Sequence, residues 1–228
     1  MRVFLVRHGQ SLSNVDKTLH KTMADHAIPL SDKGKVEAER AASFLVGRLG
    51  FPPSQPPGFC KLSSVRLWSS PYKRTRETAT IIQDAFARAG ANLDIHEHVN
   101  LVEQQFGLFD GVPDAELSQR FPVEAEHYHM CEKFGGRFWA RMPLGESRFD
   151  VAVRVHQAFG TFRRDRDKHG IDTIIVVAHG TTIRAFTMQW LHLPYEWFET
   201  EGNPANCSVR LLENGKDRGY IHPGGDQQ

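Results

Sequence analysis

Cysteine is scarce in this chain of 228 residues: only Cys60, Cys131 and Cys207, far apart and odd in number. That excludes a disulfide framework, and the spacing matches no zinc ligand set, so a reducing, cytoplasmic setting is expected. Long apolar runs are also missing. The first one, Val3 to Val6, is too short for a signal-peptide core, and no later stretch could span a bilayer. Net charge is close to zero, at +1, so no strong field for nucleic acid or an anionic membrane is expected. No internal repeat is visible. What remains is an ordinary globular composition, 40% apolar and 24% charged, of a length that suits a single domain over residues 1–228.

Against that plain background the opening segment stands out. Val3-Phe4-Leu5-Val6 reads as a buried strand that stops at Arg7-His8-Gly9. A strand end is a rigid place to present a side chain, and an imidazole beside a guanidinium there suits a nucleophile next to an anion-binding fork. A strand-end histidine can equally do no more than cap backbone groups.

The rest of the chain alternates strands with helices. Ser31 to Gly34 precedes a helical pattern that Gly50 ends, followed by a Pro-rich connector from Phe51 to Phe59. Val65 to Ser70 predicts a strand and Lys73 to Ala89 a helix; Asn92 to Val99 predicts another short strand. Residues 104–145 break the periodicity with aromatic, Gly and Pro residues and are read as a cap of short helices and loops. Glu146 to Lys168 returns to helix. Ile171 to Ala178 is the clearest buried strand; a helix from Thr181 to Leu191 and a last strand from Cys207 to Leu212 follow, with a frayed tail expected after Gly215. This order predicts an α/β three-layer sandwich, a mostly parallel central sheet flanked by helices. Ligands sit at the carboxyl ends of such strands. Arg7-His8, Ser69-Ser70-Pro71 and His179-Gly180 all fall there. Two arginines, Arg7 and Arg74, the amide of Asn14 and a second imidazole, His179, around His8 make a pocket of donors suited to a tetrahedral dianion.

Leu5 to Ser11 with Asn14, Ser69 to Thr75 with Glu77-Thr78-Ala79, Leu101-Val102-Glu103 with Phe106-Gly107, and Ala178-His179-Gly180 closely resemble the histidine phosphatase superfamily. The likeness is to its phosphoglycerate-mutase-like branch. Phe134 to Phe138 leading to Pro143-Leu144-Gly145-Glu146-Ser147, with Asn203 to Cys207, is similar to a phosphatase-like subgroup of fungi and plants. The resemblance implies that His8 is the nucleophile and forms a phosphohistidine. Arg7, Asn14, Arg74, His179 and Gly180 would bind the phosphate, and Glu103 would be the acid and then the base, with Asp110 and Glu146 as competing carboxylates. As an acid Glu103 has to start protonated, so mildly acidic to neutral pH should favour activity. No cofactor and no metal is expected, because the cationic cluster stands in for one.

The implied activity is hydrolysis of small organic phosphates; the alternative is a phosphoglycerate mutase. A mutase needs extra cations for a second anion, whereas from Asp110 to Gly145 acidic residues outnumber basic ones. A binder without catalysis is disfavoured, since no member of the catalytic set is missing. His127, His129 and Cys131 alternate as metal ligands could, but in a region read as helix and loop. Lys133, Arg137, Trp139 and Arg141 either line the mouth or pack the lid.

Overall fold

The computed structural model describes residues 1–50, 60–61 and 63–225; the Pro-rich connector lies outside the described residues. In chain order the elements are β1 (Arg2–Arg7), α1 (Leu12–Val15), α2 (Asp32–Arg48), β2 (Cys60–Lys61), β3 (Val65–Ser69), α3 (Lys73–Arg88), β4 (Ala91–Asn92) and β5 (Ile95–Glu97). Then come α4 (Asp114–Arg120), α5 (Pro122–Gly135), α6 (Arg148–His169), β6 (Thr173–Ala178), α7 (Gly180–Leu191), α8 (Tyr195–Thr200), β7 (Val209–Glu213) and β8 (Lys216–His222).

Six strands form one sheet in the order β5-β3-β6-β1-β7-β8. β5, β3, β6 and β1 run parallel, while β7 and β8 are antiparallel additions at one edge. The apolar run of β1 is buried on both faces, and alternate residues face opposite layers. Val3 and Leu5 pack with Ile174, Val176 and the α6 and α7 residues Val155, Phe159, Phe162 and Phe186. Phe4 and Val6 pack with Ile175, Val177 and the α2 and α3 residues Leu45, Ile82 and Phe86. The result is the three-layer α/β sandwich that the sequence predicts.

Helix ends follow local chemistry. Ser31 caps α2 by accepting the Gly34 amide, and Ser147 caps α6 in a reciprocal capping box with Asp150. Gly170, in the left-handed region, ends α6.

Two segments differ from the sequence reading. The tail after Gly215 is not frayed up to His222: Lys216–His222 pairs antiparallel with β7. Asn214 and Gly215 both take positive φ, at 53° and 69°, between paired Glu213 and Lys216. This is the two-residue Asn-Gly hairpin, whose turn matches the twist of its strands. The stretch from Asn92 to Val99 is not one strand. Ala91–Asn92 pairs with β2, and Ile95–Glu97 pairs with β3 in the main sheet.

Between Glu103 and α6 the chain leaves the sheet. α4 and α5 build a small core of their own from Phe109, Leu117, Ala125, Tyr128 and Ala140. The stem of this excursion is two backbones running together. The amide of Glu146 donates to Gln105 O at 2.8 Å and that of Leu108 to Pro143 O at 3.0 Å. Gly145 is required there, because a Cβ would lie 2.4 Å from Gln105 O.

Candidate active site

Strand register assembles the site. Arg7 lies opposite Ala178, and Ser69 opposite Val177, so the residues that follow β1, β3 and β6 emerge together at one sheet edge. His8 and His179 meet there edge to face, with ring centroids 5.2 Å apart. Gly9 lets β1 pass directly against α2: a Cβ at Gly9 would come 2.3 Å from Gly34 O.

His8 is 4% exposed. Its Nδ1 donates to the Gly9 carbonyl at 2.7 Å. A carbonyl can only accept, so this bond fixes the proton on Nδ1 and leaves the Nε2 lone pair for chemistry. Burial, and then the charges of Arg74 and Arg7, hold the His8 imidazole well below its usual pKa. His179 is fully buried, its Nε2 paired with Ser70 Oγ at 2.9 Å and its Nδ1 without a hydrogen-bond partner among the described residues. Burial, with Arg74 and His8 next, likewise keeps it neutral.

Arg7 donates through Nη1 to Pro204 O at 2.5 Å, while its buried Nε has no partner among the described residues. Burial lowers its pKa, against the opposing pull of Glu103. Arg74 is buried, stacks over Tyr72 at 4.9 Å, and gives both Nη groups to Asp25 at 2.9 and 3.1 Å. Its fork is therefore shared with an internal carboxylate, which the sequence reading missed. Asn14 is more exposed and accepts the Ser11 amide at 3.0 Å through Oδ1. Asn206 bridges it to the centre, donating to His8 O at 3.0 Å and approaching Asn14 Oδ1 at 3.4 Å.

Glu103 faces the start of α7. Its carboxylate accepts the Gln104 amide at 2.9 Å and lies 3.4 Å from the Thr181 amide. Gly180 sits beside it, and a Cβ there would be 3.9 Å from Glu103 Oε2 and 3.3 Å from Asn203 Oδ1. The competing carboxylates are engaged elsewhere. Glu146 accepts from Arg154 and from the Gln105 amide, and Asp110 faces His20 at 3.5 Å. Burial, and then Asp25, push the Asp110 carboxyl up against the pull of His20 and Arg74. Thr182 spends its hydroxyl on Val102 O at 2.7 Å.

A cavity of about 570 Å³ opens between this edge and the α4–α5 excursion, with Asn14 and Asn203 in its wall. Lys17 and Arg137 line it, as do three acids, Asp110, Asp114 and Glu132. Of the four cap residues singled out in the sequence, only Arg137 reaches this cavity. Trp139 packs on Phe138, Phe149 and Tyr195; Arg141 pairs with Asp150; Lys133 is exposed on α5. His127 and Cys131 fall one turn apart on α5 at 3.8 Å, while His129 turns to Glu132. No group of three or more metal-ligating side chains occurs among the described residues.

The sequence reading missed Asp25, Ser70 as the partner of His179, and Arg154. Asp25 sits in a single-turn helix, Asp25–Ala27, which carries no periodicity. Asn203 and Asn206 lie in a stretch that the motifs did include.

This fold, with two buried imidazoles and two guanidiniums at the carboxyl edge of its sheet, is of the histidine phosphatase class. The sequence pattern of the histidine phosphatase superfamily (branch 1) matches residues 3–226, and the chain belongs to that superfamily. It is 33% identical to the phosphoglycerate mutase-like protein AT74 of Arabidopsis thaliana, over 96% of this chain and 66% of that one. It is 23% identical to the broad-range acid phosphatase DET1 of Saccharomyces cerevisiae, over 92% of this chain and 84% of that protein. Among solved structures it resembles a mycobacterial glucosyl-3-phosphoglycerate phosphatase crystallised with VO3. That similarity has a TM-score of 0.67, 26% identity, and coverage of 93% of this chain and 90% of that one. No helix among the described residues is long and apolar enough to cross a membrane.

Proposed function

We propose that this protein is a phosphomonoesterase acting on small organic phosphates through a phosphohistidine at His8, without a metal. The observation that carries this reading is the state of His8: buried, neutral, its proton fixed on Nδ1 by Gly9 O, and its Nε2 free beside Arg7, Arg74 and His179. Nε2 attacks phosphorus as the ester P–O bond breaks, and Glu103 gives its proton to the departing oxygen. Glu103 then takes a proton from water, the hydroxide attacks phosphorus, and the N–P bond breaks to release inorganic phosphate. Arg7, Arg74, His179, Asn14 and the Gly180 turn hold the equatorial oxygens, a fixed set of donors that replaces solvent around the transferring group.

Hydrolysis rather than mutase chemistry is favoured because the neighbouring cavity sets only Lys17 and Arg137 against three carboxylates, Asp110, Asp114 and Glu132, and so offers no surplus of fixed cations for a second anionic group on the substrate. Free Cys131 and buried Cys207 fit a cytoplasmic enzyme. The test is incubation with p-nitrophenyl phosphate, and separately with 3-phosphoglycerate plus bisphosphoglycerate primer. Phosphate release that His8→Ala abolishes is the expected result; efficient 2-phosphoglycerate formation without release would overturn hydrolysis in favour of the mutase.

A further inference from the structure

Glu103 lies in a loop, not in a strand or helix, although an acid that protonates a leaving oxygen must be placed to within a few tenths of an ångström. Thr182 Oγ1 donates to Val102 O and Gln104 Nε2 to Glu146 O, but one side chain holds that loop at several points. Arg154, on α6 and largely buried, donates through Nη1 to Asn100 O at 2.9 Å and Val102 O at 2.8 Å. Its Nη2 donates to Glu103 O at 3.0 Å. The same guanidinium grips Glu146 with Nε and Nη2, at 2.8 and 2.9 Å. Glu146 in turn accepts the Gln105 amide at 3.0 Å through Oε2, and its backbone amide donates to Gln105 O. Five acceptors thus converge on one planar fork, and the backbone on both sides of Glu103 is tied to it. Arg154 makes no hydrogen bond to the Glu103 carboxylate; it acts through the main chain.

We infer that Arg154, oriented by Glu146, is the positioning residue for Glu103, and that it couples the acid to the stem of the α4–α5 excursion. The inference rests on Glu103 being the acid of the proposed hydrolysis. A lysine cannot replace it, because one ammonium with three donors cannot meet five acceptors in a fixed plane. Glu146 matters as the counter-charge that holds the fork flat against the loop.

The test exploits leaving-group chemistry. β-Glycerol phosphate expels an alkoxide and needs an acid, whereas p-nitrophenyl phosphate expels a stabilised anion and needs none. The kcat/KM constant covers only steps through release of the alcohol, so it is blind to Glu103 acting later as base. Both constants are taken on one preparation, so any misfolded fraction cancels in their ratio. Glu103→Gln should lower kcat/KM for the alkyl ester by about 100-fold more than for the aryl ester. Arg154→Lys and Glu146→Gln should shift the ratio in the same direction, by roughly tenfold or more. A shifted ratio in Glu103→Gln with an unchanged ratio in both other variants overturns the inference and leaves the acid assignment standing. An unchanged ratio in Glu103→Gln removes the acid role itself, and the inference falls with it.

Discussion

Burial of two neutral imidazoles should leave a signature in stability that does not depend on any substrate. His8 and His179 are held well below the ordinary histidine value of 6.5, first by burial and then by the neighbouring guanidiniums. In the unfolded chain both would titrate near 6.5. Native protein therefore binds fewer protons than unfolded protein below that pH. The stability these groups contribute is fully present above pH 6.5 and is lost as pH falls from there towards their folded values. A single such group costs about 1.4 kcal/mol between pH 7.5 and 5.5, and the pair about 2.7 kcal/mol. His98 and His222, also lowered by burial, add to the slope in every variant, so the effect is read by difference. Urea unfolding at pH 7.5 and 5.5 should show that His8→Asn and His179→Asn each lose about 1.4 kcal/mol less on acidification than the parent. Identical pH dependence in parent and variants would refute the reasoning, since it would mean the imidazoles titrate in the native state as they do in the unfolded chain.

Other perturbations test the surrounding frame. Asp25→Asn removes the carboxylate that shares the Arg74 fork, and competitive inhibition by inorganic phosphate should tighten roughly fivefold, equivalent to about 1 kcal/mol; weaker inhibition would show that Asp25 instead holds Arg74 in place for the anion. Asp165 is buried on α6 and accepts from Trp68 Nε1 at 3.1 Å and Arg66 Nη1 at 2.5 Å. Asp165→Ala should cost about 3–5 kcal/mol in denaturant unfolding by stranding both donors, and a loss below 1 kcal/mol would contradict that. Gly9→Ala forces a methyl onto Gly34 O and should cost about 2 kcal/mol, a melting-temperature drop of roughly 4–8 °C, with a fall in kcat as His8 is displaced. An unchanged melting temperature would show that α2 yields freely at this contact.

The fold was legible wherever apolar pattern and length agreed. Val3 to Val6 and Ile174 to Ala178 are uninterrupted and lie in the centre of the sheet, where both faces are covered. The meeting of the residues at their ends followed from strand direction, because parallel register carries Arg7-His8 and His179 to one edge. Legibility failed where geometry is set by contacts distant in sequence. Asp25 reaches Arg74 across 49 positions, and Arg154 reaches Val102 across 52, and neither pairing has a local signal. The hairpin strand Lys216–His222 is the opposite case. Its Asn214-Gly215 turn was written plainly, but the polar residues beyond it suggested a tail, although an edge strand tolerates them. The preference for Glu103 came from its place in the resembled motif, not from residue type, by which Asp110 and Glu146 look the same; those two pair with His20 and Arg154.

The most direct test of the central claim is to trap the covalent intermediate. Protein mixed with a phosphate monoester and quenched in alkali within milliseconds should carry one phosphoryl group that is stable to base and labile to acid. Peptide mass spectrometry should place it on His8, and it should be absent from His8→Asn. A phosphoryl group on another residue, or turnover with no phosphoenzyme at any time after mixing and undiminished in His8→Asn, would contradict the account.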